Sequence, residues 1–254
     1  MFILWDKEAD ELLMERLKTA FCFPVYEEVP EDRKEELYLK LDREGLSLNQ
    51  QDLSIISGFS GMKKRLKQSN LEHEILLKAV KIKGKQSLRI LDATAGTGED
   101  ALLLASAGHR VDLFERDPVI AALLEDGLRK GLTDPDLKES VSRMSLFIGD
   151  SIPYMRKEGG HYDVIYLDPM FPKRTKSADV KKKFQLIHGL EKPCEDEKQL
   201  LMAAISATPL KIVIKRPVKG GYLADLKPDY SLSGKAVRYD VLNNLSRYKD
   251  HDTD

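Results

Sequence analysis

The chain has 254 residues, of which 42% are hydrophobic and 33% charged, with a formal net charge of −1. That length accommodates one sizeable α/β domain and a smaller attachment. The longest apolar runs are too short to span a bilayer, and the opening MFILWDKEADE turns acidic after five residues. A membrane protein and a secretory leader are therefore excluded on this reading, and a cytoplasmic location is expected. Cys22 and Cys194 are far apart and lack CxxC partners, as expected of reduced thiols, and the five histidines show no metal-ligand spacing, so no metal is expected.

The small net charge hides a division. Residues 1–60 carry 14 acids against 7 bases, residues 61–89 carry 9 bases against 2 acids, and residues 173–192 carry 7 bases against 2 acids. Two basic tracts on either side of one central unit point to a polyanionic partner.

In chain order, residues 6–21 place Ala9, Leu12, Leu13, Leu17, Ala20 and Phe21 near helical spacing, which predicts an amphipathic helix. Phe23 to Tyr26 reads as extended. Leu37, Leu39 and Leu41 alternate with polar residues, as do Leu46 and Leu48 after the turn Asp42–Gly45, which predicts a hairpin. These first sixty residues form an expected α+β attachment (1–60). The glycines at 58 and 61 mark its boundary with the main unit, 61–242, and a polar tail, 243–254, is expected to fray. Ser69-Asn70 is positioned to cap one helix carrying Leu71, Ile75, Leu76, Ala79 and Val80.

The stretch LRILDATAGTGEDALLLASAG, residues 88–108, then reads as strand, glycine turn and helix. A second strand, Arg110 to Glu115, ends in an acid at the spacing used for ribose hydroxyls in nucleotide-binding sheets. Pro118 opens a helix with the stripe Val119, Ile120, Leu123, Leu124 and Leu128. Strands are predicted at 144–148, 162–167 and 210–215, helical pieces at 177–190 and 196–206, and an antiparallel edge around Tyr222 and 236–242. This alternation predicts an α/β fold, a Rossmann-like, mainly parallel twisted sheet with ligands at the carboxyl ends of its strands.

Those ends carry Asp92, Glu115, Asp150 and Asp168. The pattern fits S-adenosylmethionine. Glu115, with Arg116 beside it, is expected to hold the ribose, Asp150 to accept from the adenine amine, and the backbone at Gly96 and Gly98 to lie along the ligand. Asp92 and Asp100 are expected to meet its cationic end. A nicotinamide cofactor is the competing reading, because Gly96 to Ala101 matches GxGxxA. Glu99 and Asp100 at the helix start would repel a pyrophosphate and suit a cation.

Asp168-Pro169-Met170-Phe171-Pro172, after the fourth strand of the main unit, has a distinct use. An exocyclic base amine is a poor nucleophile because its lone pair is delocalised into the ring. The Asp168 carboxylate and Pro169 carbonyl are placed to accept its two N–H bonds, and Phe171 to stack on the base, worth roughly 1–3 kcal/mol in single-stranded sites. Lys63, Lys64 and Arg65, Lys173, Arg174, Lys176, Lys181 and Lys182, and Lys215-Arg216 are the candidate contacts to a nucleic-acid backbone.

DATAGTGEDALLLASAG, FERDPVIAALLEDGL, YLDPMFPKRTKSADVKKK and VIKRP together resemble the RsmJ family of small-subunit ribosomal RNA methyltransferases. The resemblance covers about residues 58–242. It implies a class I methyltransferase that uses S-adenosylmethionine to methylate N2 of a guanosine near the 3′ end of 16S RNA, with that RNA or the small ribosomal subunit as partner. Carried over by motif, cofactor contacts fall on Glu99-Asp100, Glu115-Arg116, Asp150-Ser151 and Asp168. Gln68 to Glu72 stands where the family has a glycine- and arginine-rich turn, and the first sixty residues match only loosely. An amino-methyltransferase acting on another nucleic acid, such as at adenine N6, and a non-catalytic RNA-binding assembly factor remain as alternatives. The oligomeric state is not set by the sequence.

Overall fold

Apolar alternation builds two separate sheets in the computed structural model, which describes residues 1–158, 161–169, 186, 190 and 196–252. The first contains β1 (Phe2–Trp5), β2 (Val25–Tyr26), β3 (Tyr38–Asp42), β4 (Gly45–Gln50) and β5 (Leu53–Ile56), in the order β2-β1-β3-β4-β5. The hairpin β3–β4 pairs Leu41 with Leu46 and Leu39 with Leu48, so one leucine face is buried from both strands. Helix α1 (Glu11–Ala20) starts at Asp10, whose side chain accepts from the Leu13 N–H, and buries Leu13, Met14 and Leu17 in the core of this sheet. The strands β1 and β5 add to what the sequence pattern predicts for this region.

The single helix expected after Ser69-Asn70 is two, α2 (Gln68–Leu71) and α3 (Ile75–Val80). Arg65 grips Glu74 through two hydrogen bonds of 2.6 and 2.8 Å at the break between them.

The second sheet contains β6 (Arg89–Asp92), β7 (Arg110–Glu115), β8 (Met144–Ile148), β9 (Val164–Leu167), β10 (Lys211–Pro217), β11 (Tyr230–Ser233) and β12 (Val237–Leu242). Its order is β11-β12-β10-β9-β6-β7-β8, parallel from β10 through β8, with antiparallel pairing only where β12 meets β10 and β11. The helices are α4 (Glu99–Ser106), α5 (Pro118–Thr133), α6 (Lys138–Val141), α7 (Ser151–Glu158) and α8 (Glu197–Ser206). One face buries Ile90, Val111 and Val213 with α3, α4 and α5; the other buries Leu91, Ile165 and Ile212 with α7 and α8. Chain order reverses between β6 and β9, and a crevice at the carboxyl ends of these two strands is where such sheets bind ligands.

Two expectations at the carboxyl terminus are corrected. The antiparallel partner of β12 is 230–233, while Tyr222 precedes a short 3-10 turn. The tail does not fray at 245–248: Leu245 and Tyr248 are buried in the α7–α8 core. Of the helical piece expected at 177–190, all but Leu186 and Leu190 lie outside the described residues.

The first sheet is fastened to α5. Asp126, with no exposed side-chain surface, accepts from the Leu46 N–H at 2.8 Å and pairs with Arg129 and Lys130 at 2.7 and 3.0 Å. Beside it, a Cβ on Gly127 would lie 3.0 Å from the Gly58 nitrogen, so the helix and the 57–59 backbone meet through glycine. Among the described residues, no helix is long and apolar enough to cross a membrane.

Candidate active site

The turn from β6 into α4 forms the floor of the crevice. Gly98 holds φ +76°, and a Cβ there would lie 2.6 Å from Leu124 Cδ1, so this glycine answers to packing as well as to conformation. Gly96, at φ +53°, has open space where its Cβ would be. That open backbone ledge, bordered by carboxylates, fits a cationic ligand with a ribose, as S-adenosylmethionine is.

Glu115 secures the ledge. Its Oε2 accepts from the Gly96 N–H and its Oε1 from the Asp117 N–H, both at 2.8 Å. Burial pushes its pKa up, while these backbone N–H groups pull it down. The carboxylate expected to hold a ribose also shapes the loop, so its loss would disturb the turn itself. Arg116 and Glu99 are exposed at the rim.

Four side chains converge at the switch point. Lys215 Nζ, at the end of β10, donates to Asp100 Oδ2 at 2.7 Å and Asp168 Oδ2 at 2.8 Å. The Tyr166 hydroxyl donates to the same Asp100 oxygen at 2.7 Å. Burial alone would lower the Lys215 pKa, but Asp168 and Asp100 more than offset it and hold the pKa above the ordinary lysine range. Desolvation raises the Asp168 pKa and the nearby Asp100 carboxylate adds to it; Lys215 opposes both. Asp92 is almost wholly buried, accepts from the Thr94 N–H, and has its pKa pushed well up by burial and by Asp100 and Asp168. The Asp168 N–H donates to Thr94 Oγ1 at 2.6 Å, which pins the Asp168-Pro169 turn onto the glycine turn.

Several expected contacts are placed differently. Lys215 lies inside the crevice, on two carboxylates. Arg216 is buried and donates to the Gly221 carbonyl and to Glu197. Lys63 pairs with Asp134 and Asp136, and Arg65 with Glu74, which leaves Lys64 as the exposed cation of that trio. The Ser151 hydroxyl is buried and donates to the Ala93 carbonyl at 2.9 Å, tying α7 to the glycine turn. Asp150 is exposed and accepts from the Ile152 N–H at the start of α7, close to the Gly149 N–H that donates to the Glu115 carbonyl. Phe171, Lys173, Arg174, Lys176, Lys181 and Lys182 lie outside the described residues. No metal-binding group of His, Cys, Asp or Glu occurs among the described residues.

Sheet order, crevice and acidic glycine turn define a Rossmann-like methyltransferase. The family model SAM_MT, SAM-dependent methyltransferase, matches residues 25–244. Ribosomal RNA small subunit methyltransferase J of Pseudomonas paraeruginosa is 47% identical over 169 residues, 66% of this chain and 65% of the relative, so the match spans about two thirds of that protein. Its namesake in Thioalkalivibrio sulfidiphilus is 39% identical over 215 residues, 81% of this chain and 84% of the relative. The crystal structure of a SAM-dependent methyltransferase from Neisseria gonorrhoeae superposes with a TM-score of 0.75 at 31% identity, covering 96% of both chains. The chain belongs to the RsmJ family of S-adenosylmethionine-dependent methyltransferases.

Proposed function

We propose that this protein methylates the exocyclic N2 amine of a guanosine near the 3′ end of 16S ribosomal RNA. The observation that carries this reading is the bond from the Asp168 N–H to Thr94 Oγ1, which ties the Asp168-Pro169 turn to the glycine turn after β6 and supports Asp168 as the acceptor for a base amine beside the cofactor. The names of the relatives support a small-subunit RNA as substrate.

When bound, S-adenosylmethionine supplies an electrophilic methyl group. The residues to hold it are the Gly96 ledge, Glu115 with Arg116, Asp150 and the free oxygen of Asp100. Asp168 and the Pro169 carbonyl accept the two amine N–H bonds, orienting the nitrogen lone pair away from the ring. The Asp168 charge stabilises that nitrogen as it becomes positive and then takes the proton it releases. Lys215 keeps Asp168 ionised and fixed between Asp100 and the end of β9; Phe171 is assigned to stack on the base. Catalysis thus rests on positioning and electrostatics, without a covalent enzyme intermediate.

The test is incubation with a labelled methyl donor and small subunits lacking the modification, followed by mapping of the modified base. Label on one guanine N2 is expected. Label on an adenine amine, or none with cofactor still bound, overturns the assignment.

A further inference from the structure

The opposite end of the sheet holds a cavity of about 800 Å³ that the methyl-transfer chemistry does not use. Its cationic lining is Arg89, Arg110 and Arg143, joined by the serines Ser87, Ser142 and Ser145. All lie at or just before the amino ends of β6, β7 and β8. Arg89 and Arg110 are direct cross-strand partners, and the Val111 N–H donates to the Arg143 carbonyl at 2.9 Å, so three arginines stand side by side. Like charges at facing positions of adjacent strands destabilise a sheet. A polyanion bound against these arginines would offset that repulsion.

Local partners supply only part of that offset. Arg89 pairs with Asp112 at 3.2 Å and lies over the Tyr162 ring at 4.8 Å. Asp112 also accepts from the Tyr162 hydroxyl at 2.7 Å, so its charge is already engaged. Arg143 pairs with Glu139, which is highly exposed, and an exposed pair of this kind contributes little. Arg110 is exposed and has no ion-pair partner among the described residues. Lys81 and Lys83, also exposed, continue the positive surface along the segment entering β6, while Lys85 pairs with Asp163. Guanidinium groups already held by a ring or a carboxylate lose little freedom on meeting a phosphate, and serine hydroxyls add donors beside them.

We propose that this rim is a second RNA-binding site, which takes phosphodiester groups of the substrate RNA backbone and docks it without reading its bases. The proposal rests on the ribosomal RNA reading given above. From Arg110 to Glu115 the strand advances five residues, about 16 Å. An RNA stretch of the length that double-stranded RNA modules span, about 16 base pairs, is longer than that separation.

The test uses the full chain and a small-subunit RNA fragment that the wild-type protein binds and methylates. Binding is measured across a salt series for the wild type, Arg110→Gln, Arg110→Glu and Arg110→Glu/Arg143→Gln. Without the Arg110 charge on a phosphate, Arg110→Gln lowers the magnitude of the salt slope by about one and weakens binding on the order of 10-fold at low salt. The charge reversal and the double variant weaken it further. S-adenosylmethionine affinity and the single-turnover rate at saturating RNA stay at wild-type values while the KM for RNA rises, and melting temperatures at or above that of the wild type confirm the fold. RNA affinity and salt slope equal to wild type in all three variants overturn the proposal. So does calorimetric binding of inorganic phosphate that Arg110→Glu abolishes while RNA affinity is untouched, which marks a small-anion site. Failure of the wild-type protein to methylate any small-subunit RNA instead overturns the function on which the proposal rests.

Discussion

Lys215→Met removes the cation shared by Asp100 and Asp168 and leaves two carboxylates facing each other in the crevice. The bond removed from Asp168 is 2.8 Å long, between side chains 25% and 31% exposed, so solvent screens it only in part. Charge-assisted hydrogen bonds of this kind contribute about 1.5–3 kcal/mol. If that stabilisation bears on the reacting amine, kcat falls on the order of 10- to 150-fold, at about 1.4 kcal/mol for each factor of ten. The sign of the pH effect follows from the same geometry. The Asp168 pKa is already raised by desolvation, and Lys215 is what pulls it down. Without that charge the carboxylate protonates at higher pH, so the acid limb of the rate profile moves upward and the deficit narrows as pH rises. Lys215→Arg keeps the charge and retains the wild-type limb. Single-turnover methylation at saturating cofactor and RNA from acid to alkaline pH measures both effects. An unchanged acid limb with normal kcat in Lys215→Met refutes the electrostatic role; an equal loss at every pH points to misfolding of the crevice.

Asp168→Asn keeps the shape and one acceptor but loses the charge. The methyl-transfer rate is expected to fall on the order of 10² to 10³-fold with RNA affinity little changed, and a near-normal chemical step would assign the side chain to structure alone. Glu115→Ala weakens S-adenosylmethionine binding on the order of 10-fold or more by calorimetry and also lowers the melting temperature, because Gly96 and Asp117 lose their acceptor; unchanged affinity removes Glu115 from the site. Asp126→Ala leaves the buried Leu46 N–H without its acceptor and removes the carboxylate shared by Arg129 and Lys130, which among the described residues keep only Asp10 at 3.7 Å and Ser57. With Arg129 half exposed, about 2–4 kcal/mol is lost, a fall of roughly 5–15 °C in a calorimetric scan. Burial opposes the Asp126 charge, but Leu46, Ser57, Arg129 and Lys130 together hold its pKa below the ordinary range. The stability it contributes is therefore present above the unfolded aspartate pKa and is lost as pH falls through the depressed folded value. A melt unaffected by the substitution would show the clamp to be idle.

What the sequence reveals is uneven, for physical reasons. The β6–α4–β7–α5 unit is legible because its strands are short apolar-rich segments that end in the acids Asp92 and Glu115 and its helices carry local stop and start signals. Asp117 caps α5, its side chain accepting from the Val119 and Ile120 N–H groups, with Pro118 in the first turn. The strand β1 is a four-residue apolar run without alternation, and β5 is equally short, so neither stands out from its surroundings. The break between α2 and α3 is invisible to periodicity because Leu71 and Ile75 keep helical spacing across it, while the Arg65–Glu74 pair that accompanies it is nine residues apart. Tyr248 hides in a polar tail whose composition resembles a frayed end. In the site, the acids at strand ends follow from topology, but the partners of basic residues do not. Lys215 and Arg216 read alike as surface cations, and only the fold separates a crevice lysine from an arginine buried against Glu197 and the Gly221 carbonyl.

The fastening of the first sheet to α5 has a consequence for how the molecule comes apart. Leu186, beyond the Asp168-Pro169 turn, is buried in the same core as Leu39, Leu41 and Met14, together with Val119 and Leu123 of α5. Loss of the first sheet would strip cover from the helix that follows Glu115 and from a residue downstream of the acceptor turn at once. The two sheets are therefore expected to unfold as one cooperative unit, and a single calorimetric transition with one denaturant midpoint by both near- and far-ultraviolet dichroism checks this. On this packing, a chain cut after the first sheet is expected to lose support on its cofactor side, and limited proteolysis there should release no stable remainder.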